Sequence, residues 1–303
     1  MKTIINETDY AYIAGYIDGD GCFYIGHSRS EKRLKPKPIT SITISSVNNE
    51  VLYYFKSLYG GSVNTSKKAY DNCKSQYHFT LKKTETCKLI NKILPYLVEK
   101  YDQCILLQEF DQLIEFSMQI DCINRMKILK HNVNFVTKEH KVEFEPYKNT
   151  IKPSMTDYAY LAGFIDAECC FGISKYKPKD KPNYVYKILL QCNNTKAPVF
   201  KWLIERFGGH INFVDRQKYN VNDQLCWRIS GRALHNIIDN IYQFLRYKKA
   251  VCKQLIDFYA TTLRNGGARH TEVFRTQYAD VIKERERIIN IVHKLNLKGT
   301  NSF

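Results

Sequence analysis

No run of about eighteen apolar residues occurs in the 303-residue chain, so no segment reads as a helix able to cross a bilayer. The opening MKTIINETDY has no apolar stretch of the secretory kind, and an intracellular protein is expected. Cysteine is present without a pattern. Ten residues are scattered, mostly in apolar surroundings and with no C-x-x-C pair, which argues against a disulfide framework or a zinc module and suits free thiols in a reducing compartment. Acid is in short supply: 30 Asp and Glu stand against 46 Lys and Arg, giving a formal charge of +16 and a pI near 9.3. The chain is 44% hydrophobic with a mean hydropathy of −0.41, enough apolar material for two packed cores, so a folded protein carries the excess charge. Its expected partner is a polyanion, nucleic acid being the commonest.

What the chain does have is a duplication. YIAGYIDGDGCFYI over 12–25 is answered by YLAGFIDAECCFGI over 160–173, and Asp20 and Glu168 lie 168 − 20 = 148 residues apart. The same offset relates Gly60 and Gly61 to Gly208 and Gly209, Leu97 to Leu245, Lys100 to Lys248 and Cys104 to Cys252. Two whole supersecondary units are fused in tandem as an internal dimer.

Within one repeat, Thr8 or Asp9 is placed to cap a helix over 9–20, after which the apolar period changes from helical to alternating. Alternation returns in ITSITIS at 39–45 and QYHFTLKK at 76–83, either side of a helical NEVLYYFKSLYGG closed by glycine. Helices are expected over 84–94 and 99–118. The order argues an α+β unit with an antiparallel sheet, one face apolar and the other polar. The polar parity collects Tyr24, Ser28, Ser30, Ser41, Thr43, His78, Thr80 and Lys82, then Ser174, Tyr176, Lys187, Gln191, Arg228 and Ser230, groups that suit base edges and phosphates. An ordinary solvated face is the plain reading of any one strand, and Leu189 breaks the alternation of its own. The matching parity in both repeats, the flanking clusters Arg29-Lys32-Arg33-Lys35-Lys37 and Lys175-Lys177-Lys179-Lys181, and the global charge shift the balance toward nucleic acid.

The first helix carries a stripe without bulk, Ala11, Gly15 and Gly19, repeated as Ala159, Gly163 and Ala167. Two such stripes can pack backbone to backbone about a pseudo-two-fold axis. That would bring Asp20 and Glu168 together at helix C-termini, where partial negative charge and mutual repulsion both oppose ionised acids. A divalent cation reverses the argument, and Mg²⁺, a hard ion held by one or two carboxylates, suits metal-assisted phosphodiester hydrolysis.

Ile13–Gly21 and Leu161–Cys169 resemble the two signature motifs of a monomeric LAGLIDADG homing endonuclease, and the likeness extends over 8–118 and 156–264. The resemblance implies two pseudo-two-fold-related αββαββα repeats, each with a four-stranded antiparallel sheet, forming a DNA-binding saddle. It implies Asp20 and Glu168 as metal-binding acids, joined by the backbone carbonyls of Gly19 and Ala167, with Asp18 and Asp166 serving structure. It also implies lysines Lys100 and Lys248 beside the metal and a water-ordering Gln191, whose counterpart is Thr43. Cys169 replaces the motif's last glycine, so a slightly different helix-to-strand turn is expected there. The implied activity is a metal-dependent double-strand break in an asymmetric site of about 20 bp, read by one protein monomer and leaving 3′ overhangs. Mg²⁺ is the implied cofactor, with Mn²⁺ an alternative and Ca²⁺ supporting binding without efficient cutting.

Other uses of the same fold stay open: an intron-encoded maturase that binds intron RNA, or a cleavage-inactive DNA-binding protein. Retention of both acids favours cutting over binding alone, and the absence of flanking splicing segments disfavours an intein. The expected domains are 1–118, a linker over 119–153, 154–264, and a tail over 265–303 whose 271–297 portion reads as a charged helix. Frequent Lys, Asn, Ile and Tyr suit an AT-rich genome, and a mitochondrion is the expected compartment.

Overall fold

A computed structural model describes residues 5–28, 37–67, 75–131, 133, 135–179, 184–216, 221–261 and 272–297. Of the residues assigned to nucleic acid, Ser30, Lys32 and Arg33 lie outside these, as do Arg29, Lys35 and Lys181 of the flanking clusters.

The first repeat runs α1 (Glu7–Asp20), β1 (Gly21–His27), β2 (Pro38–Ser46), α2 (Asn49–Tyr59), β3 (Ser62–Lys67), β4 (Gln76–Lys82), α3 (Thr84–Ile93) and α4 (Tyr101–Gln112), followed by α5 (Phe116–His131). A short α6 (His140–Glu143) lies in the connection. The second repeat follows the same order with α7 (Met155–Glu168), β5 (Cys169–Tyr176), β6 (Val185–Asn194), α8 (Ala197–Phe207), β7 (His210–Val214), β8 (Gln224–Ser230), α9 (Arg232–Tyr242), α10 (Lys249–Ala260) and then α11 (Glu272–Asn296). Each repeat has one four-stranded antiparallel sheet, ordered β1-β2-β4-β3 and β5-β6-β8-β7. The α+β class and its two αββαββα repeats are therefore as expected.

Period-two patterning sets which sheet face is buried. In the first sheet Phe23, Ile25, Ile42, Ile44, Phe79 and Leu81 point inward at 0–4% exposure, against Val51, Leu52 and Phe55 of α2 and Leu89, Ile90 and Ile93 of α3. Burying each such side chain contributes about 1.5–3 kcal/mol. The two cores meet through α1 and α7, the most closely packed pair of elements in the molecule. A Cβ added at Gly15 would overlap the Tyr160 carbonyl, and one added at Gly163 would overlap that of Tyr12. At these two glycines bulk is therefore excluded by backbone, not by movable side chains. Two hydroxyls cross the seam, Tyr12 donating to Asp166 Oδ2 and Tyr160 to Asp18 Oδ2, each at 2.7 Å.

Several local expectations change. The cap of α1 is Asn6, not Thr8 or Asp9; Asn6 Oδ1 accepts from Asp9 N at 2.9 Å while Asp9 Oδ2 accepts from Asn6 N at 3.2 Å, a capping box repeated by Ser154 and Asp157 at α7. The helix expected over 99–118 is two, because Leu113 is extended (φ −81°, ψ 130°) and its carbonyl accepts from buried Gln119 Nε2 at 2.7 Å. The turn lets α5 fold back on α4 and β1, so the boundary drawn at 118 falls inside a helix, and most of α5 occupies the stretch read as linker. The rest of that connection is stitched to the second repeat, Val136 N donating to Thr195 O at 2.9 Å and Asn149 N to Ile204 O at 3.0 Å. In the tail, α11 packs on α10 and β5 as α5 does on α4 and β1, burying Ile288 and Val292.

Candidate active site

Asp20 is the last residue of α1 and Glu168 the last of α7. The small stripes run to these ends: where a Gly19 Cβ would stand, Ala167 Cβ and Glu168 Cγ already crowd, Cγ at 3.0 Å. The pairing that encloses the helix ends also desolvates the acids. Burial pushes the Asp20 carboxyl up to about 7, reinforced by the charge of Glu168 and opposed by Lys248 and Lys100. Burial raises Glu168 as well, against the same two lysines. The turn into the strand is alike in both halves, Gly21 at φ −82°, ψ 155° and Cys169 at φ −92°, ψ 165°. The extended backbone itself needs no glycine, but a Cβ at Gly21 would stand 2.7 Å from Ile17 Cα and its carbonyl oxygen, so the second turn, which carries the Cβ of Cys169, differs slightly from the first.

Asp18 and Asp166 lie two residues before the acids and are buried. Asp18 accepts from the N–H groups of Val98, Glu99 and Lys100 at 2.7–3.0 Å, and Asp166 from those of Arg246, Tyr247 and Lys248 at 2.7–3.1 Å. With the Tyr160 or Tyr12 hydroxyl added, each carboxylate accepts three hydrogen bonds on Oδ2 and one on Oδ1, which makes the two acids anchors for the segments that carry the two lysines. Lys100 Nζ then donates to the carbonyls of Ile17 (2.8 Å), Asp18 (2.5 Å) and Gly19 (3.3 Å). Lys248 Nζ donates to those of Ile165 (2.6 Å) and Asp166 (3.1 Å). Each ammonium thus caps the carbonyl end of the helix that bears the acid, where a cation is most favourable. Of the two carbonyls assigned to the metal, that of Gly19 already accepts from Lys100.

Among the described residues no group of three or more His, Cys, Asp and Glu is arranged to hold a metal. The donor set is two carboxylates at abutting helix ends, raised in pKa by burial. This fits a hard divalent cation that draws its remaining ligands from water or phosphate oxygen.

Glu99 was not legible as a site residue. Its backbone N–H donates to Asp18 Oδ2 at 3.0 Å and its Oε2 accepts from Asn194 Nδ2, in the other repeat, at 3.0 Å. Burial pushes its carboxyl up to about 7, opposed by Lys100 and reinforced by Asp18 and Glu168. Its counterpart at 99 + 148 = 247 is Tyr247, so the acid belongs to one half only. Adjacency to Lys100 was the one sequence signal.

The polar parity forms continuous rows across each sheet. Cys22, Thr43, Thr80 and Ser62 stand in register in the first, and Cys170, Gln191, Arg228 and His210 in the second, both rows two residues beyond an acid. Further rows join Tyr24, Ser41 and Lys82; Ser45, His78 and Asn64; Leu189 and Ser230; and Ser174 and Lys187. Ser45 Oγ lies 2.9 Å from His78 Nδ1, and Arg228 Nη2 donates to Gln191 Oε1 at 2.7 Å. Tyr24 is exposed and its ring lies over Gly26, Tyr176 is exposed with Lys187 Nζ 5.7 Å from its ring, and Ser28 stands just past β1. Ser41 shares the face but is only 7% exposed, which removes most of its hydroxyl from any ligand. Lys175, counted in a flanking cluster, has the opposite parity and pairs with Glu286 of α11 at 2.6 Å. Asn64, Ser62, His210 and Asn212 were missed because β3 and β7 are short; the alternation in SVNTSK and HINFV after each glycine pair was the available signal. Lys130 of α5, 3.2 Å from Cys22 Sγ, adds positive charge to the row beside Asp20.

Paired acids at the abutting ends of two small-residue helices, each helix leading into a sheet with one polar face, define a two-repeat nuclease-like architecture. The sequence matches the profile described as LAGLIDADG endonuclease over residues 13–104 and again over 161–263, more than half of the chain. The protein belongs to the LAGLIDADG endonuclease family, in its double-motif form. Comparison with curated proteins returns no match. Similar solved structures include the meganuclease I-SmaMI bound to uncleavable DNA, at 16% identity and TM-score 0.62, covering 95% of this chain and 97% of that one. I-SmaMI bound to uncleaved DNA with calcium ions gives 16% identity and TM-score 0.63, covering 95% and 98%. The meganuclease I-AabMI bound to uncleaved DNA gives 17% and 0.61, covering 98% and 99%. At these identities the likeness speaks for the fold alone.

Proposed function

We propose that the protein is a site-specific homing endonuclease that binds a duplex of about 20 bp as a monomer and cuts both strands with Mg²⁺, leaving 3′ overhangs. The observation that carries the reading is the pair Asp20 and Glu168, two desolvated acids held against helix carbonyl ends at a cost that a pure binder has no reason to bear. Those carboxylates would hold the divalent ion, Mg²⁺ first and Mn²⁺ next, with Ca²⁺ supporting binding. When bound, such an ion supplies an activated water and neutralises charge at a scissile phosphate. Lys100 and Lys248 keep fixed positive charge beside that point, and Gln191 offers an amide to order a water. The calcium-containing and DNA-bound relatives support the metal and duplex parts of the reading at the level of the fold.

Each polar sheet face would follow the major groove for about one turn, roughly 10 bp. Because the rows differ between repeats, the site would be asymmetric. The sequence formed by joining the DNA on either side of the gene's own insertion point is the first substrate to test. Supercoiled plasmid carrying it should be linearised in Mg²⁺, with protection of about 20 bp by one protein molecule. A footprint of one turn, a requirement for a protein dimer, or tighter binding to folded intron RNA than to any duplex would overturn the reading in favour of a maturase.

A further inference from the structure

Resting on the DNA-cutting reading above, we infer that Arg228 and Gln191 form one recognition unit, in which Gln191 positions the guanidinium and so ties the identity of one base to the cut made beside Glu168. The two residues are cross-strand partners on β6 and β8, and Arg228 Nη2 donates to Gln191 Oε1 at 2.7 Å. They share a row with Cys170, two residues past Glu168, so the pair stands on the two central strands at the end of the sheet nearest the acid.

A guanidinium has five N–H groups in a fixed fork, and a bond to Gln191 uses one. The others match O6 and N7 of guanine, and fixing the plane beforehand reduces the side-chain entropy lost on binding. Gln191 in turn spends its carbonyl on Arg228 and keeps both amide N–H groups for a water or a phosphate oxygen. With a base other than guanine the fork loses its partner and must move to find another, carrying Gln191, which is bonded to it, out of its place beside the cut. Mismatch is then felt in the rate of cutting as well as in affinity. The equivalent row of the first sheet holds Thr43 and Thr80, whose short side chains offer no such fork, so the coupling belongs to one half-site.

The test uses a duplex selected by the wild-type protein from a randomised pool, with single-base changes through the second half-site. Affinity is measured in Ca²⁺ and single-turnover cutting of each labelled strand in Mg²⁺, for wild type, R228A, Q191A and the double variant. At one position the wild type should prefer guanine about tenfold. R228A should lose that preference, Q191A should lose much of it without touching the base, and the double variant should lose no more than R228A. Cutting of one strand should fall further than affinity. Full guanine preference in Q191A, or losses that multiply in the double variant, would overturn the inference. A wild-type protein that selects no duplex sinks the underlying reading first, before any variant is compared.

Discussion

Glu99 carries a clear pH signature. Burial holds its carboxyl up to about 7, above the roughly 4.3 of a free glutamate, so folding favours the protonated acid. Its contribution to stability is fully present below about pH 4 and is lost as the pH rises through 7. Glu99→Gln keeps an acceptor for Asn194 and removes the charge. The variant should melt several degrees above wild type at pH 8, on the order of 2 kcal/mol, and level with it at pH 4. Thermal denaturation at the two pH values checks this, and an equal shift at both would contradict it. For the lysines, Lys100→Met and Lys248→Met should each slow single-turnover cutting about 100-fold while leaving affinity largely intact. Equal losses of affinity at an unchanged rate would make them phosphate anchors only. Both lysines were legible because the offset of 148 carries one onto the other. Glu99 was not, because it breaks that symmetry. Neither was the Arg228–Gln191 bond, which depends on the register of two strands 37 residues apart.

At the scale of elements, the α1–α7 seam follows from the sequence more directly than anything else in the fold. Small residues four apart, written twice, permit only a close helix pair. Gly15→Val places a side chain against the Tyr160 carbonyl and should cost about 3 kcal/mol or more, with Tyr12 and Tyr160 losing their buried carboxylate partners. Gly172→Ala is the control, since a Cβ there meets nothing within 4 Å. Denaturant unfolding should show a large loss in the first and little change in the second; comparable losses would mean the seam is not the weak point of insertion. Other elements were less legible. The break between α4 and α5 carries neither proline nor glycine, and it exists because Gln119 finds the Leu113 carbonyl in three dimensions. The packing of α11 was likewise hidden, as its partners Lys175 and Tyr186 lie about 100 residues earlier in the chain.

Over the whole molecule, a charge of +16 and two polar sheet faces suit a polyanion, while the acids sit where the C-terminal ends of α1 and α7 come together. On the proposed function, binding and cutting are therefore separable in space, and the separation gives the central claim its sharpest test. Asp20→Asn and Glu168→Gln remove one charge each from the seam without adding bulk. Incubated with a site that the wild-type protein cuts in Mg²⁺, each variant should hold the duplex with near wild-type affinity and leave its strands intact; strand scission at the wild-type rate in either variant would contradict the account.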